Sequence, residues 1–291
     1  MKSSAFWVAG VNLGVRHILP LYPIAAILAG AGVADLAQRS NGWLAVGILL
    51  LAAHIVSSFL SFPVPIAYAN ELWGGAGKTY LYLSDSNVDW GQQLYQVKDW
   101  GDRHPEECWF AYVAQGYISP KSYGIRCHAL PNPAPRRFGA SEAEMIPPTV
   151  HGTVLLSAKN LAGYWITNQI NPYRDFLRIQ PTDQIDHGIL VYHGDIDLKA
   201  AAAVSRAFLS GDKLNEKKFN EALSLAKESL EIAPGNFYGE WALGSAEAAL
   251  GRVQEASNAY QAALDIANSL DPVRASTPIK ELKEAMKKLK E

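Results

Sequence analysis

Residues 41–62 run for 22 positions without an Asp, Glu, Lys or Arg, and no other feature limits the chain so strongly. A helix of that length reaches about 33 Å at ~1.5 Å per residue, against a bilayer hydrocarbon core of ~30 Å. Residues 17–34 make a second uncharged run, with Arg16 and Asp35 as polar flanks. Together the two runs predict a transmembrane helical hairpin over residues 17–62, turning at Gln38-Arg39-Ser40-Asn41-Gly42. The other reading is a pair of buried core helices. Those average nearer ~11–12 residues, and two long adjacent runs are hard to enclose in so small a chain. Pro20 and Pro23 fall near the start of the first run, where a missing N–H costs least. Trp43 opens the second, where an indole suits the membrane interface. His54 lies mid-span, either as a functional group or as a neutral imidazole facing a neighbouring helix.

Charge divides the chain unevenly. Before Lys78 the only fully charged side chains are Lys2, Arg16, Asp35, Arg39 and Glu71, whereas acids and bases crowd together and nearly cancel after Lys199. The whole-chain net charge of -2 therefore describes neither end. No basic block interleaved with aromatics is present, which excludes the electrostatic footprint of a nucleic-acid binder. Arg39 in the turn against Lys2 and Arg16 outside it is too small a contrast to orient the hairpin. Residues 1–16 lack an unbroken apolar core, so they are read as an N-terminal loop rather than a cleavable leader.

The middle of the chain, residues 63–198, alternates strand-like and helix-like segments and predicts an α/β layer fold. Strands are expected at residues 79–83, 109–114, 125–129, 153–157 and 189–193. Helical segments are expected at 92–100 and 173–179, with a short turn or helix at 120–123. Five prolines between 131 and 148 imply an irregular excursion. Cys108 and Cys127 are the only cysteines; they pair if this domain faces an oxidising compartment and stay thiols if it is cytosolic.

Two local patterns resemble ligand loops. Gly74-Gly75-Ala76-Gly77-Lys78-Thr79 ends like a phosphate-binding loop, but Leu72 stands where the first glycine belongs, and a strand rather than a helix is expected to follow. Asp85-Ser86-Asn87-Val88-Asp89-Trp90-Gly91 alternates oxygen ligands like the start of a calcium loop, yet Trp90 and Gln96 occupy the required Gly and Glu positions. Its Asp and Asn side chains either cap free backbone N–H groups or contact a ligand. No zinc-type Cys/His spacing or dinucleotide glycine pattern occurs, and no metal or cofactor is implied.

In residues 199–291, positions 34 apart correspond. Phe219, Ala222, Leu230 and Pro234 match Val253, Ala256, Leu264 and Asn268. The second unit adds Leu243-Gly244, Gly251, Tyr260 and Ala263, the pattern of small and large positions by which tetratricopeptide repeats pack. Ser210 and Lys217 stand where the second unit has its glycines, and an amphipathic helix from Pro278 to Lys290 reads as a cap. Two such units and a cap are expected to lean on the α/β domain or on a protein partner; a passive appendage is the other reading.

The segment Asn12-Leu13-Gly14-Val15-Arg16-His17-Ile18-Leu19-Pro20-Leu21-Tyr22-Pro23 resembles a stretch of the bacterial membrane glycosyltransferases of the protein mannosyltransferase-like, GT-C group. So does Asp85-Ser86-Asn87-Val88-Asp89-Trp90-Gly91-Gln92, and residues 152–158 and 189–192 look like later parts of the same pattern. The resemblance covers residues 12–195. It implies an extracytoplasmic α/β domain above the hairpin and a polyprenyl-phosphate-linked sugar as ligand. Arg16 and His17 would lie near the lipid phosphate, where guanidinium and imidazole suit an anionic group. Asp85, Asn87, Asp89 and Gln92 would line or brace the outer domain. Members of that group have many more spans, and an early outer loop supplies their acidic residue. The expectation is therefore a C-terminal portion of such an enzyme, lacking the catalytic spans and inactive alone. The alternative is a membrane-tethered tetratricopeptide interaction module.

Overall fold

In a computed structural model of the chain, Ser40 alone separates two helices, α1 (Leu21–Arg39) and α2 (Asn41–Leu60). The structure describes residues 20–62, 71–82, 88–112, 118–132, 144–163, 169–270 and 272–289. Ser40 is fully extended (φ -164°, ψ 152°), and its carbonyl and hydroxyl both accept from Trp43 N–H, at 3.1 and 3.4 Å. The turn is thus tighter than the five residues expected. α1 runs through Asp35, whose carboxylate pairs with Arg39 one turn on at 2.6 Å. Val33 Cγ1 lies only 2.6 Å from where a Cβ on Gly47 would be, so the missing side chain lets the two helices approach. Both helices are long and apolar enough to cross a membrane, with mean hydropathy of 1.4 and 2.1. Core helices of a soluble protein are mostly buried, but no residue of either helix is.

Residues 63–291 form a second compact unit. Its sheet contains β1 (Cys108–Ala111), β2 (His128–Ala129), β3 (Thr149–Ser157), β4 (Asp183–Ile185) and β5 (Ile189–Asp197), in the order β2-β1-β3-β5-β4. β2 and β3 run parallel to β1; β5 is antiparallel to β3, and β4 to β5. Side chains alternate across the sheet, and both faces are apolar. Trp109, Ala111, Val154, Leu156, Leu190 and Tyr192 face one core, and Phe110, Tyr112, Leu155, Ile189 and Val191 face the other. Helix α3 (Leu94–Arg103) covers the second face with Leu94, Val97 and Trp100. Tyr173 and Phe176, at the 3-10 turn Arg174–Arg178, cover the first. A one-turn helix, α4 (Ala158–Leu161), leaves the carboxyl end of β3.

Several expected elements differ. Residues 79–81 lie in a 3-10 helix, Ala76–Leu81, rather than a strand. Its buried Ala76 and Thr79 are three residues apart and Tyr80, next to Thr79, packs on the core, a spacing that a two-residue strand period does not give. Thr79, Tyr80 and Leu81 have strand-forming side chains, but packing decides. The strand expected over 125–129 is reduced to His128–Ala129. β3 and β5 extend beyond their expected ends, and β4 was not foreseen. Residues 83–87, 113–117 and 133–143 lie outside the described residues, so the strand expected there is reported only as far as Ala111.

Five helices complete the unit: α5 (Lys199–Asn215), α6 (Phe219–Ile232), α7 (Phe237–Ala249), α8 (Val253–Asn268) and α9 (Pro272–Lys288). α9 starts at Pro272, where a missing N–H costs nothing, and not at Pro278, which lies inside the helix. A third core joins Val204 and Phe208 of α5, Phe237 and Tyr238 of α7, Tyr260 and Leu264 of α8, and Leu282 of α9. The 34-residue offset is visible in the backbone: Lys217 (φ 61°) and Gly251 (φ 75°) both hold left-handed turns just before α6 and α8. Ser210, in place of Gly244, is buried and donates to Ala222 C=O at 2.8 Å.

Candidate functional site

Ligands of parallel α/β sheets gather at the carboxyl ends of the strands. Here those ends carry Tyr112, immediately after β1, and Ser157, the last residue of β3. Residues 88–93 approach the same ends. Asp89 is fully buried; it accepts Gly91 N–H at 2.6 Å across an Asx-type turn and accepts the Ser157 hydroxyl. Gly91 has φ 87°, and Tyr112 donates its hydroxyl to Gly91 C=O at 2.9 Å. A Cβ at that glycine would stand 2.1 Å from the Tyr112 oxygen, so only glycine fits both the conformation and the contact.

Lys159, the second residue of α4, is also fully buried. Its ammonium rests 3.7 Å from the centroid of the Trp90 ring, a cation–π contact. Trp90 remains half exposed. Gln92 closes the turn from inside: its carbonyl oxygen accepts Trp90 N–H at 2.7 Å and its amide reaches Val88 C=O at 3.5 Å. Gln93 is buried and donates to Asp186 C=O at 3.3 Å, fastening the loop to the β4–β5 turn.

Burial pushes the Asp89 carboxyl above its ordinary range; the Ser157 hydroxyl, Gly91 N–H and Lys159 charge offset this only in part. Burial likewise raises the Tyr112 phenol, with the neighbouring Asp89 charge adding to it. The interior therefore resists adding negative charge, and among the described residues of the loop the Trp90 indole is the large side chain that meets solvent.

Of the residues singled out in the sequence, Asp89 and Gln92 meet in this one loop. Both act on its backbone: Asp89 as a turn-forming acceptor and Gln92 as a brace. Arg16, His17, Asp85 and Asn87 lie outside the described residues. Sequence reasoning passed over Trp90, Tyr112, Ser157 and Lys159. A signal was present at two of them, because Ser157 and Lys159 interrupt the apolar run that starts at Val154. Polar side chains at the end of a buried run, Ser157 closing β3 and Lys159 just inside α4, need partners.

The Gly74–Thr79 pattern is no phosphate cradle. A six-residue 3-10 helix, Ala76–Leu81, takes in Lys78-Thr79 and the start of the strand expected at 79–83, but the missing first glycine still excludes the motif. Among the described residues no group of three His, Cys, Asp or Glu side chains is placed to hold a metal ion. Cys108 and Cys127, whose state the sequence left open, form a disulfide between the start of β1 and the residue before β2. Comparison with protein-family models, with curated proteins and with solved structures finds no match to this chain.

Proposed function

We propose that this chain is the membrane-anchored, extracytoplasmic portion of a system that transfers sugar from a polyprenyl-phosphate carrier, and that it holds the ligand without itself carrying out transfer. The observation that carries the reading is the half-exposed Trp90 ring, backed by buried Lys159, at the carboxyl ends of β1 and β3. A rigid indole in a polar loop offers apolar area to the C–H face of a hexose at little entropic cost. Asp89 and Gln92 are engaged by their own loop, which favours bracing over general-base chemistry. The two unburied apolar helices support a membrane hairpin. The disulfide supports an oxidising compartment for the second unit.

The test is binding of a polyprenyl-phosphate hexose to the full chain in lipid nanodiscs. Trp90→Ala is expected to weaken it about tenfold, the equivalent of ~1.4 kcal/mol, in a chain that still unfolds cooperatively. Equal affinity for polyprenyl phosphate without sugar, or no binding by the unaltered chain, would overturn the proposal.

A second reading, a membrane-tethered tetratricopeptide module, is favoured by the matched turns at Lys217 and Gly251 and by the paired helices α5–α8. It expects a stoichiometric protein partner to stay with the full chain after solubilisation, and no sugar-dependent step in the nanodisc titration.

A further inference from the structure

Residues 71–82 show two opposed faces. Ala76, Thr79 and Tyr80 turn inward, Tyr80 against the sheet core, and Gln184 of β4 donates to Gly77 C=O at 2.9 Å. Leu72 (93% exposed), Trp73 (59%), Leu81 (47%) and Tyr82 (56%) turn outward, and the Trp73 and Tyr82 rings meet edge to face at 5.5 Å. The inward anchoring fixes an outward patch of two aliphatic and two amphipathic aromatic side chains, with exposed Lys78 beside it. A monomeric soluble surface seldom clusters such residues without use.

We infer that this patch rests in the interfacial layer of the bilayer that α1 and α2 span, and so holds the second unit against the lipid surface; the inference depends on the membrane reading above. Two observations favour lipid over a protein partner. Trp and Tyr beside Leu, with a lysine next to them, is the composition of membrane-interface anchors. The tether is also short: eight residues, 63–70, separate Phe62 from Glu71. Nine Cα steps reach at most about 30 Å even when fully extended, so the patch cannot stray far from the end of α2.

The measurement uses the full chain in phospholipid nanodiscs, with an environment-sensitive fluorophore attached at Leu72→Cys under non-reducing conditions, where the native cysteines are paired. Leu50→Cys in α2 reports the bilayer interior, and exposed Glu255→Cys in α8 reports water. Lipid spin-labelled near its headgroup is expected to quench position 72 several-fold more than position 255, with blue-shifted emission. Quenching at 50 by tail-labelled lipid, with position 72 behaving like 255, overturns this inference alone. Position 72 shielded from iodide yet insensitive to spin-labelled lipid also overturns it, in favour of a protein cover. Absence of quenching at 50 overturns the membrane reading and this inference with it.

Discussion

At the scale of single residues, the loop built on Asp89 and Gly91 concentrates most of the local constraint. Gly91→Ala must place a Cβ 2.1 Å from the Tyr112 oxygen and hold an L-residue at φ 87°. The backbone term alone is of order 1 kcal/mol or more, and displacing Tyr112 breaks its bond to Gly91 C=O, worth about 1 kcal/mol. The expected loss is about 2–3 kcal/mol by denaturant unfolding. In a Tyr112→Ala background, itself less stable, Gly91→Ala should cost less than in the parent, since the two residues share one contact; strictly additive losses would contradict the geometry. Asp89 gives a second test, with a definite sign. Its folded-state pKa is raised, so its contribution is full below the unfolded value near ~3.9 and is lost as pH rises through the folded value. Asp89→Asn keeps an oxygen for Gly91 N–H and removes the ionisation. The Tm of the variant minus that of the parent should therefore climb as pH rises from the unfolded value near ~3.9 through the raised folded value. A flat or falling difference would show that the buried carboxyl is not held above its ordinary range. The oxygens of Asp89 and Gln92 were legible in the sequence as turn chemistry. The ring over Lys159 was not, because it joins residues 69 positions apart through the end of a strand.

At the scale of elements, the sheet depends on its edges. β2 is two residues long and cannot hold itself by pairing alone. The Cys108–Cys127 bond closes a loop of sequence separation 19 and ties the β1 edge to the residue before β2. On chain-entropy grounds its loss costs about 3 kcal/mol, a fall in Tm of roughly 6–12 °C for a unit of this size. Paired Cys108→Ser and Cys127→Ser substitutions should show that fall, and reductant should reproduce it in the unaltered chain but add nothing to the variant. Elements with a clear pattern were readable: the continuous apolar runs in β3 and β5, the helical spacing of α3, and the uncharged runs of α1 and α2. Those set by tertiary contacts were not. β4 is three residues long, and its turn to β5 runs through Asp186 and His187, both at positive φ (45° and 63°), where Asn-Gly would have announced a hairpin. At residues 79–81, side-chain propensity pointed to a strand, but the inward packing of Ala76, Thr79 and Tyr80 places them in a 3-10 helix.

At the scale of the whole molecule, the open matter is how the sheet and the helical tail act together within residues 63–291. Helix α5 belongs to both. Ala201 lies in the sheet core, while Val204, Ala207 and Phe208 lie in the helical core. Its polar residues grip the chain that enters β3. Ser205 donates to Glu144 C=O, and Arg206 Nη1 donates to Ile146 C=O at 2.9 Å while Nε lies 3.6 Å from Glu228 of α6. Leu198 N–H, just before α5, donates to Pro148 C=O at 2.8 Å. A guanidinium that bonds the strand entry and pairs with the tail couples the two parts, so a loss there is felt by both. Arg206→Met preserves apolar volume but leaves the Ile146 carbonyl without this donor, at about 1–3 kcal/mol. If the unit opens as one, amide exchange in β3, β5, α6, α7 and α8 should quicken together, by roughly tenfold for each ~1.4 kcal/mol lost. Were the tail an independent domain resting on the sheet, exchange would quicken on one side only, and thermal unfolding would split into two steps. Single-step unfolding with parallel loss of protection in sheet and tail is the expected outcome, because α5 contributes Ala201 to one face of the sheet and Val204, Ala207 and Phe208 to the helical core.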